Sequence, residues 1–179
     1  MVTYELLEDG HREKTAIRRL LELADEEFVP PLSARTGTKQ REGLDDPSGE
    51  DLSAYLEAAL DHQYLLARQE DRVVGLLSFH EYDAPEFGAF RPANYVSTVI
   101  VHPDARRNGY ARGLYEYLID DLPRASRRPH VTTRTWGTND SHIALLEELG
   151  FVTLEVVPDD RGPGIDTVYF GLDLTARES

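Results

Sequence analysis

The stretch Val99-Ile-Val-His-Pro-Asp-Ala-Arg-Arg-Asn-Gly-Tyr-Ala-Arg-Gly-Leu114 decides the fold. It reads as a buried strand ending at Val101, a short turn, and a helix starting near Gly109. A helix start leaves backbone N–H groups without intrahelical partners, and these add to the positive end of the helix dipole. An anion, a pyrophosphate above all, satisfies both. Gly109 lets a ligand approach the backbone closely, and Ala111 is nearly as small. Arg106, Arg107 and Arg112 bring positive charge to this place in an acidic chain. The plain alternative is a strand–turn–helix whose glycine serves the turn and whose arginines are solvated. The spacing is neither that of a dinucleotide fingerprint nor that of a Walker loop.

Outward from this turn the elements alternate. Thr3–Leu7 predicts a short strand. Glu13–Phe28 predicts a helix, with Ala16, Ile17, Leu20, Leu21, Leu23, Ala24 and Phe28 at helical spacing and Pro30-Pro31 as its stop. Leu32–Asp46 reads as a long loop carrying Arg35, Lys39 and Arg41; Ser48 or Ser53 caps a second helix through Leu60. Tyr64–Arg68 and Arg72–Tyr82 form a hairpin, Asp83–Ala93 a loop, and Tyr95–Val101 a central strand. The helix after the turn runs to about Leu122. His130–Trp136 is a strand and Asn139–Leu149 a helix closed by Gly150. Phe151–Val157 and Asp166–Leu174 are strands joined by a loop rich in turn residues. The order β-α-α-β-β-β-α-β-α-β-β, with no evident linker, predicts a single α/β domain over residues 1–179.

The chain has 179 residues, of which 40% are hydrophobic, with no cysteine and a formal net charge of −14. Its only lysines are Lys14 and Lys39. Such a surface repels phosphate backbones and anionic lipids, so neither nucleic acid nor membrane is an expected partner. No apolar run approaches the ~20 residues that span a bilayer, and the first ten residues lack the apolar core of a signal peptide. The expected location is cytoplasmic. The acidity either attracts a basic substrate or adapts the surface to high salt; its spread along the whole chain favours salt. The six histidines hold no pair at H-x-x-x-H spacing, and no metal is expected.

Arg106-Arg107-Asn108-Gly109-Tyr110-Ala111 resembles the R/Q-x-x-G-x-G/A motif of the GCN5-related N-acetyltransferases (GNAT), and Val101-His102-Pro103-Asp104 resembles the usual lead-in. Asn139, Leu145 and Leu149-Gly150-Phe151 resemble the family's N-x-x-A-x-x-L-Y-x-x-x-G-F segment. The resemblance is specific over Tyr95–Phe151 and rests on element order elsewhere. It implies a central mixed, mostly antiparallel sheet of about seven strands with helices on both faces, and acetyl-CoA as co-substrate. It implies that the backbone of Arg106, Arg107, Asn108, Gly109, Tyr110 and Ala111, with Arg112 beside it, holds the CoA pyrophosphate. Ile100 and Val101 would pair with the pantetheine arm, and Asn139 would contact that arm. The acetyl group would point toward Tyr95–Ser97 and the last helix, with Tyr95, Ser97, Trp136 and His142 lining the acceptor pocket.

The pattern departs from the family at Leu146, which stands where many members place a tyrosine that protonates the departing thiolate. His142 lies one turn earlier on the same face, within about 60° of Asn139 and Leu146, and is the candidate substitute acid or base. Its plain alternative is a structural histidine packed on Trp136. Tyr95 occupies the position where some members carry a basic glutamate; it orients substrate or lines the pocket. Three readings follow. The first is acetyl transfer to a primary amine by direct attack in a ternary complex. The second is a catalytically degenerate acyl-CoA-binding module. The third is a generic anion site on an α/β scaffold. The last strands offer edges for a homodimer.

Overall fold

The computed structural model describes residues 1–34, 53–83 and 85–177. Most of the expected long loop, with Arg35, Lys39, Arg41 and the alternative cap Ser48, lies outside them. Seven strands are hydrogen-bonded in the order β1-β2-β3-β4-β5-β7-β6. They are β1 (Val2–Leu7), β2 (Gln63–Gln69), β3 (Arg72–Tyr82), β4 (Ala93–Val101), β5 (His130–Trp136), β6 (Val152–Val157) and β7 (Thr167–Asp173). The described α-helices are α1 (Lys14–Ala24), α2 (Ser53–Ala59), α3 (Tyr110–Glu116) and α4 (Asp140–Glu148). The mixed, mostly antiparallel sheet and the element order are those the sequence predicts. The chain falls into two compact units, residues 1–79 with 97–121 and residues 80–96 with 122–179.

In the first unit β1 pairs antiparallel with β2, from Val2↔Gln69 to Leu7↔Tyr64, and β2 pairs antiparallel with β3 around a turn in which Glu70 has φ of 55°. Ile17, Leu20, Leu21 and Ala24 recur at i, i+3, i+4 and i+7, the stripe that one helix face presents to a core. They pack with Leu56, Leu60, Tyr64, Leu66, Leu76 and Ile100. Leu23 falls on the opposite face and is 44% exposed. The first helix is shorter than its apolar pattern suggests. It ends at Ala24 in a 3-10 turn, Asp25–Glu27, and the Asp25 carboxylate accepts from the Ser33 N–H at 2.7 Å. The helix after the arginine turn also changes character: α3 passes into a π-helical turn over Tyr117–Asp121.

In the second unit β4 runs parallel to β5 over four pairs, from Ala93↔His130 to Val96↔Thr133. The β5–β7 and β6–β7 pairings are antiparallel. Helix α4 ends in a Schellman arrangement. Gly150, at φ of +97°, donates to the Glu147 carbonyl, and the Phe151 N–H reaches back to the Leu146 carbonyl, both at 3.0 Å. Leu146 and Phe151 are both buried, which supplies the apolar contact that usually accompanies this end.

Candidate functional site

The turn after β4 is built by short side chains and left-handed backbone. His102 Nδ1 accepts from the Asp104 N–H at 3.3 Å, and Pro103–Ala105 forms a single 3-10 turn. Asn108 Nδ2 donates to the carbonyls of Ala105 and Arg106 at 2.9 and 3.1 Å, tying the loop across its own width. Arg107 and Gly109 both have positive φ, 64° and 76°. A Cβ on Gly109 would meet nothing within 4 Å, so glycine is required here by conformation, and the space before it is open. The first α3 bond nearest this end is Gly113 N–H to the Gly109 carbonyl at 3.0 Å. The N–H groups of Tyr110, Ala111 and Arg112 precede it and have no intrahelical acceptor. This geometry fits a pyrophosphate.

The arginines are distributed less simply than the sequence suggests. Arg106 donates to Glu27 at 2.6 Å and, through Nε, to the Val101 carbonyl at 3.1 Å. Arg112 lies 3.9 Å from Glu116. Arg107 is exposed and, among the described residues, makes no ion pair. The Arg106 and Arg112 pairs are solvent-exposed and hold little energy, typically ~0–1 kcal/mol, so an arriving phosphate can compete for them.

The expected pantetheine contacts separate at this point. The Ile100 carbonyl is turned toward β3, 3.3 Å from where a Cβ on Gly75 would stand, and His102, two residues on, donates to Val74 of β3. The Ile100 carbonyl therefore faces its own sheet neighbour. Val101 alternates to the other side. Ser97 also belongs to the first unit. Its Oγ lies 2.7 Å from Ser78 Oγ and 3.3 Å from His62 Nδ1.

In the second unit Tyr95 is 1% exposed, its ring edge-on to His80 at 5.4 Å and tilted against Tyr82 at 6.0 Å. Both aromatic rings pack against that of Tyr95. Asn139 occupies the N-cap of α4 without a side-chain cap bond, and its Nδ2 donates to Thr135 Oγ1 at 3.0 Å. Trp136 is half-buried under the Arg161 guanidinium, 5.9 Å from the ring centre. Arg161 Nε in turn donates to Thr167 Oγ1 at 3.0 Å. His142 keeps a partly exposed edge, yet the protein packed around it pushes its pKa down to about 4. At neutral pH it is an uncharged imidazole and cannot deliver a proton as an imidazolium, which counts against the acid role. Leu146 is fully buried. The place of the family tyrosine is here part of the core.

Residues absent from the sequence reading complete the picture in the first unit. Ser78 is buried within the apolar run Leu76, Leu77 and Phe79, and a hydroxyl in such a strand is a signal readable in principle. His62 is buried and reached only through the tertiary fold. Gly113 lies under Tyr4, whose hydroxyl would be 1.9 Å from any Cβ there. Among the described residues no group of three His, Cys, Asp or Glu could hold a metal ion. No described helix is long and apolar enough to cross a membrane.

Solved structures share this fold. The E. coli ribosomal-protein-S18-alanine N-acetyltransferase superposes with a TM-score of 0.67 at 17% identity, over 97% of this chain and 94% of that one. The ribosomal-protein-alanine N-acetyltransferase of Brucella melitensis gives 0.64 at 20%, over 97% and 99%. The yncA protein of Salmonella typhimurium, solved with its cofactor acetyl-CoA, gives 0.64 at 21%, over 97% and 94%. At such identities these likenesses establish the fold. No curated protein matches the chain. The profile of the Acetyltransferase (GNAT) family matches residues 17–151, which takes in the arginine turn, β4 and α4, and the chain therefore belongs to the GNAT acetyltransferase family.

Proposed function

We propose that this protein transfers the acetyl group of acetyl-CoA to a primary amine by direct attack. The observation that carries the reading is the turn 106–111, with left-handed Arg107 and Gly109, open space before Gly109 and a helix start that leaves its first N–H groups without intrahelical acceptors. Arg107 would meet the pyrophosphate first, and Arg106 and Arg112 would exchange carboxylate partners for phosphate. Acetyl-CoA supplies the activated acyl group. The chain must bind it, hold the amine and accept a proton, because an alkylammonium with a pKa of about 10 is no nucleophile. The chain has no cysteine to carry an acyl group, which favours a ternary complex over an acetyl-enzyme. The whole of residues 1–179 acts as one catalytic domain in this reading, in the cytoplasm, and a homodimer through the edge strands is compatible with it.

The test is calorimetric titration of acetyl-CoA into wild type and Gly109→Glu, followed by turnover with an alanine-first peptide, phosphinothricin and spermidine. Saturable binding lost in the variant, with turnover of an amine, supports the proposal. Absence of binding by wild type would return the turn to a generic anion site. The burial of Leu146 favours a second reading, an acyl-CoA-binding module without turnover. Binding without acetylation of any amine would select it.

A further inference from the structure

Three buried or half-buried polar groups converge on β4 in the first unit. Ser97 Oγ lies 2.7 Å from Ser78 Oγ and 3.3 Å from His62 Nδ1. Ser78 and His62 are 1% and 8% exposed. His62 is held at the end of α2, where its N–H donates to the Ala59 carbonyl at 3.1 Å. Its neighbour Asp61 is turned outward, its side chain 86% exposed and its carboxylate on His11. The next residue on β4, Thr98, meets the Tyr55 hydroxyl of α2, which pins the strand against the same helix. Buried hydroxyls and an imidazole are costly unless each finds a partner, so this arrangement requires a specific set of proton positions. Ser78 can donate to Ser97 only if Ser97 points its own proton elsewhere, and the acceptors within reach are His62 Nδ1 at 3.3 Å and the Ser78 carbonyl at 3.4 Å.

We infer that Ser97 and His62 form a proton relay for the acceptor amine, with Ser97 touching the amine and His62 acting through it as a positioning residue and proton store. The inference rests on the acetyl-transfer reading above and supplies a base for the acceptor amine. The ammonium N–H breaks to Ser97 Oγ as the Ser97 proton passes to His62 Nδ1, leaving a neutral amine and an imidazolium. The amine nitrogen then forms the C–N bond, and the C–S bond breaks with its electron pair leaving on sulfur. The second proton of the attacking nitrogen goes to that thiolate, and the imidazolium releases its extra proton to solvent. The Ser97–His62 contact is long for a hydrogen bond, and catalytic contacts commonly tighten only when substrate is bound.

The first measurement needs no acceptor. Nitrogen-15 histidine spectra should show His62 with its proton on Nε2 and an unprotonated Nδ1 accepting a hydrogen bond, and Ser97→Ala should shift the Nδ1 resonance. A His62 protonated on Nδ1, or one blind to Ser97→Ala, overturns the relay. The second uses steady-state acetylation of whichever of the alanine-first peptide, phosphinothricin and spermidine wild type turns over. His62→Gln should leave the acetyl-CoA Kd unchanged and lower kcat about 10²- to 10³-fold. It should also remove the acid limb of the kcat/KM–pH profile. Ser97→Ala should do the same, and the double variant should be little worse than either alone. Variants that keep the acid limb refute the relay while leaving acetyl transfer standing. A wild type that binds acetyl-CoA and acetylates none of the three amines removes the transfer reading, and the relay with it.

Discussion

Gly109 is the residue on which cofactor binding turns. Its φ of +76° lies where an L side chain is strained, yet the space around it is open. The strain of a substitution is thus conformational, about 1–2 kcal/mol for alanine, and smaller for asparagine, which tolerates this region better. We expect Gly109→Ala to lose about 1 kcal/mol in denaturant unfolding and Gly109→Asn to lose less. Both should weaken acetyl-CoA, because the new Cβ enters the space the phosphates need. His142 makes a different prediction. Its pKa of about 4 lies below the ~6.5 of an unfolded chain, so the unfolded state binds the proton more readily. Stability contributed by the neutral imidazole is complete above about pH 6.5 and falls as pH drops toward 4, by at most about 3 kcal/mol. His142→Gln should flatten that part of the thermal-unfolding profile against pH. An equal acid sensitivity in the variant would refute the assignment. The arginine motif was legible because it demands glycine and charge in a fixed order. The environment of His142 was not, since helical spacing gives a face but not what covers it.

At the level of elements, strand β1 and helix α3 depend on one small residue. Gly113 has no Cβ because Tyr4 of β1 occupies its place, with the hydroxyl 1.9 Å and the ring carbon that bears it 2.4 Å away from the position a Cβ would take. Burial, with Tyr110 and Glu116 nearby, also raises the Tyr4 pKa, so the phenol stays protonated. Gly113→Ala should therefore displace Tyr4 and cost about 1–3 kcal/mol, the usual range for overpacking. In a Tyr4→Val background the same change should be neutral or stabilising by up to about 1 kcal/mol, because alanine is the better helix former. A loss of equal size in both backgrounds, read from chemical denaturation, would dissociate glycine from tyrosine. The sequence placed both elements correctly, since each carries a strong periodic pattern, but it offered no hint of the contact. Tyr4 and Gly113 are more than a hundred residues apart, and only the fold brings them together. The same reason hid His62 from a sequence reading that found Ser97. The π-helical turn after α3 escaped as well: its apolar residues Leu118, Ile119 and Leu122 fit a continuing α-helix equally well.

For the whole molecule the dominant fact is the net charge of −14, with 33 acidic against 19 basic side chains other than histidine. A charge of that size repels itself and works against the compact state. The fold answers locally: Arg68, half-buried on β2, donates to Glu5 of β1 and to Glu13 at the start of α1, at 2.8 and 2.5 Å. Those two carboxylates raise the Arg68 pKa further, and partial burial keeps salt from screening the cluster fully. Acidic side chains still outnumber lysines and arginines by 33 to 19, and for that excess added salt is the remedy. The Debye length falls from ~10 Å at 0.1 M to ~3 Å at 1 M, shorter than the spacing of most surface charges. The melting temperature should therefore rise as KCl increases and level off once screening is complete. A rise that continues into multimolar KCl would mean that the carboxylates also hold hydrated cations and that the surface is adapted to salt. A flat curve from the lowest salt upward would show that self-repulsion is not limiting. The acidity would then be better explained as attraction for a cationic acceptor, and the affinity for spermidine should fall steeply over the same KCl range.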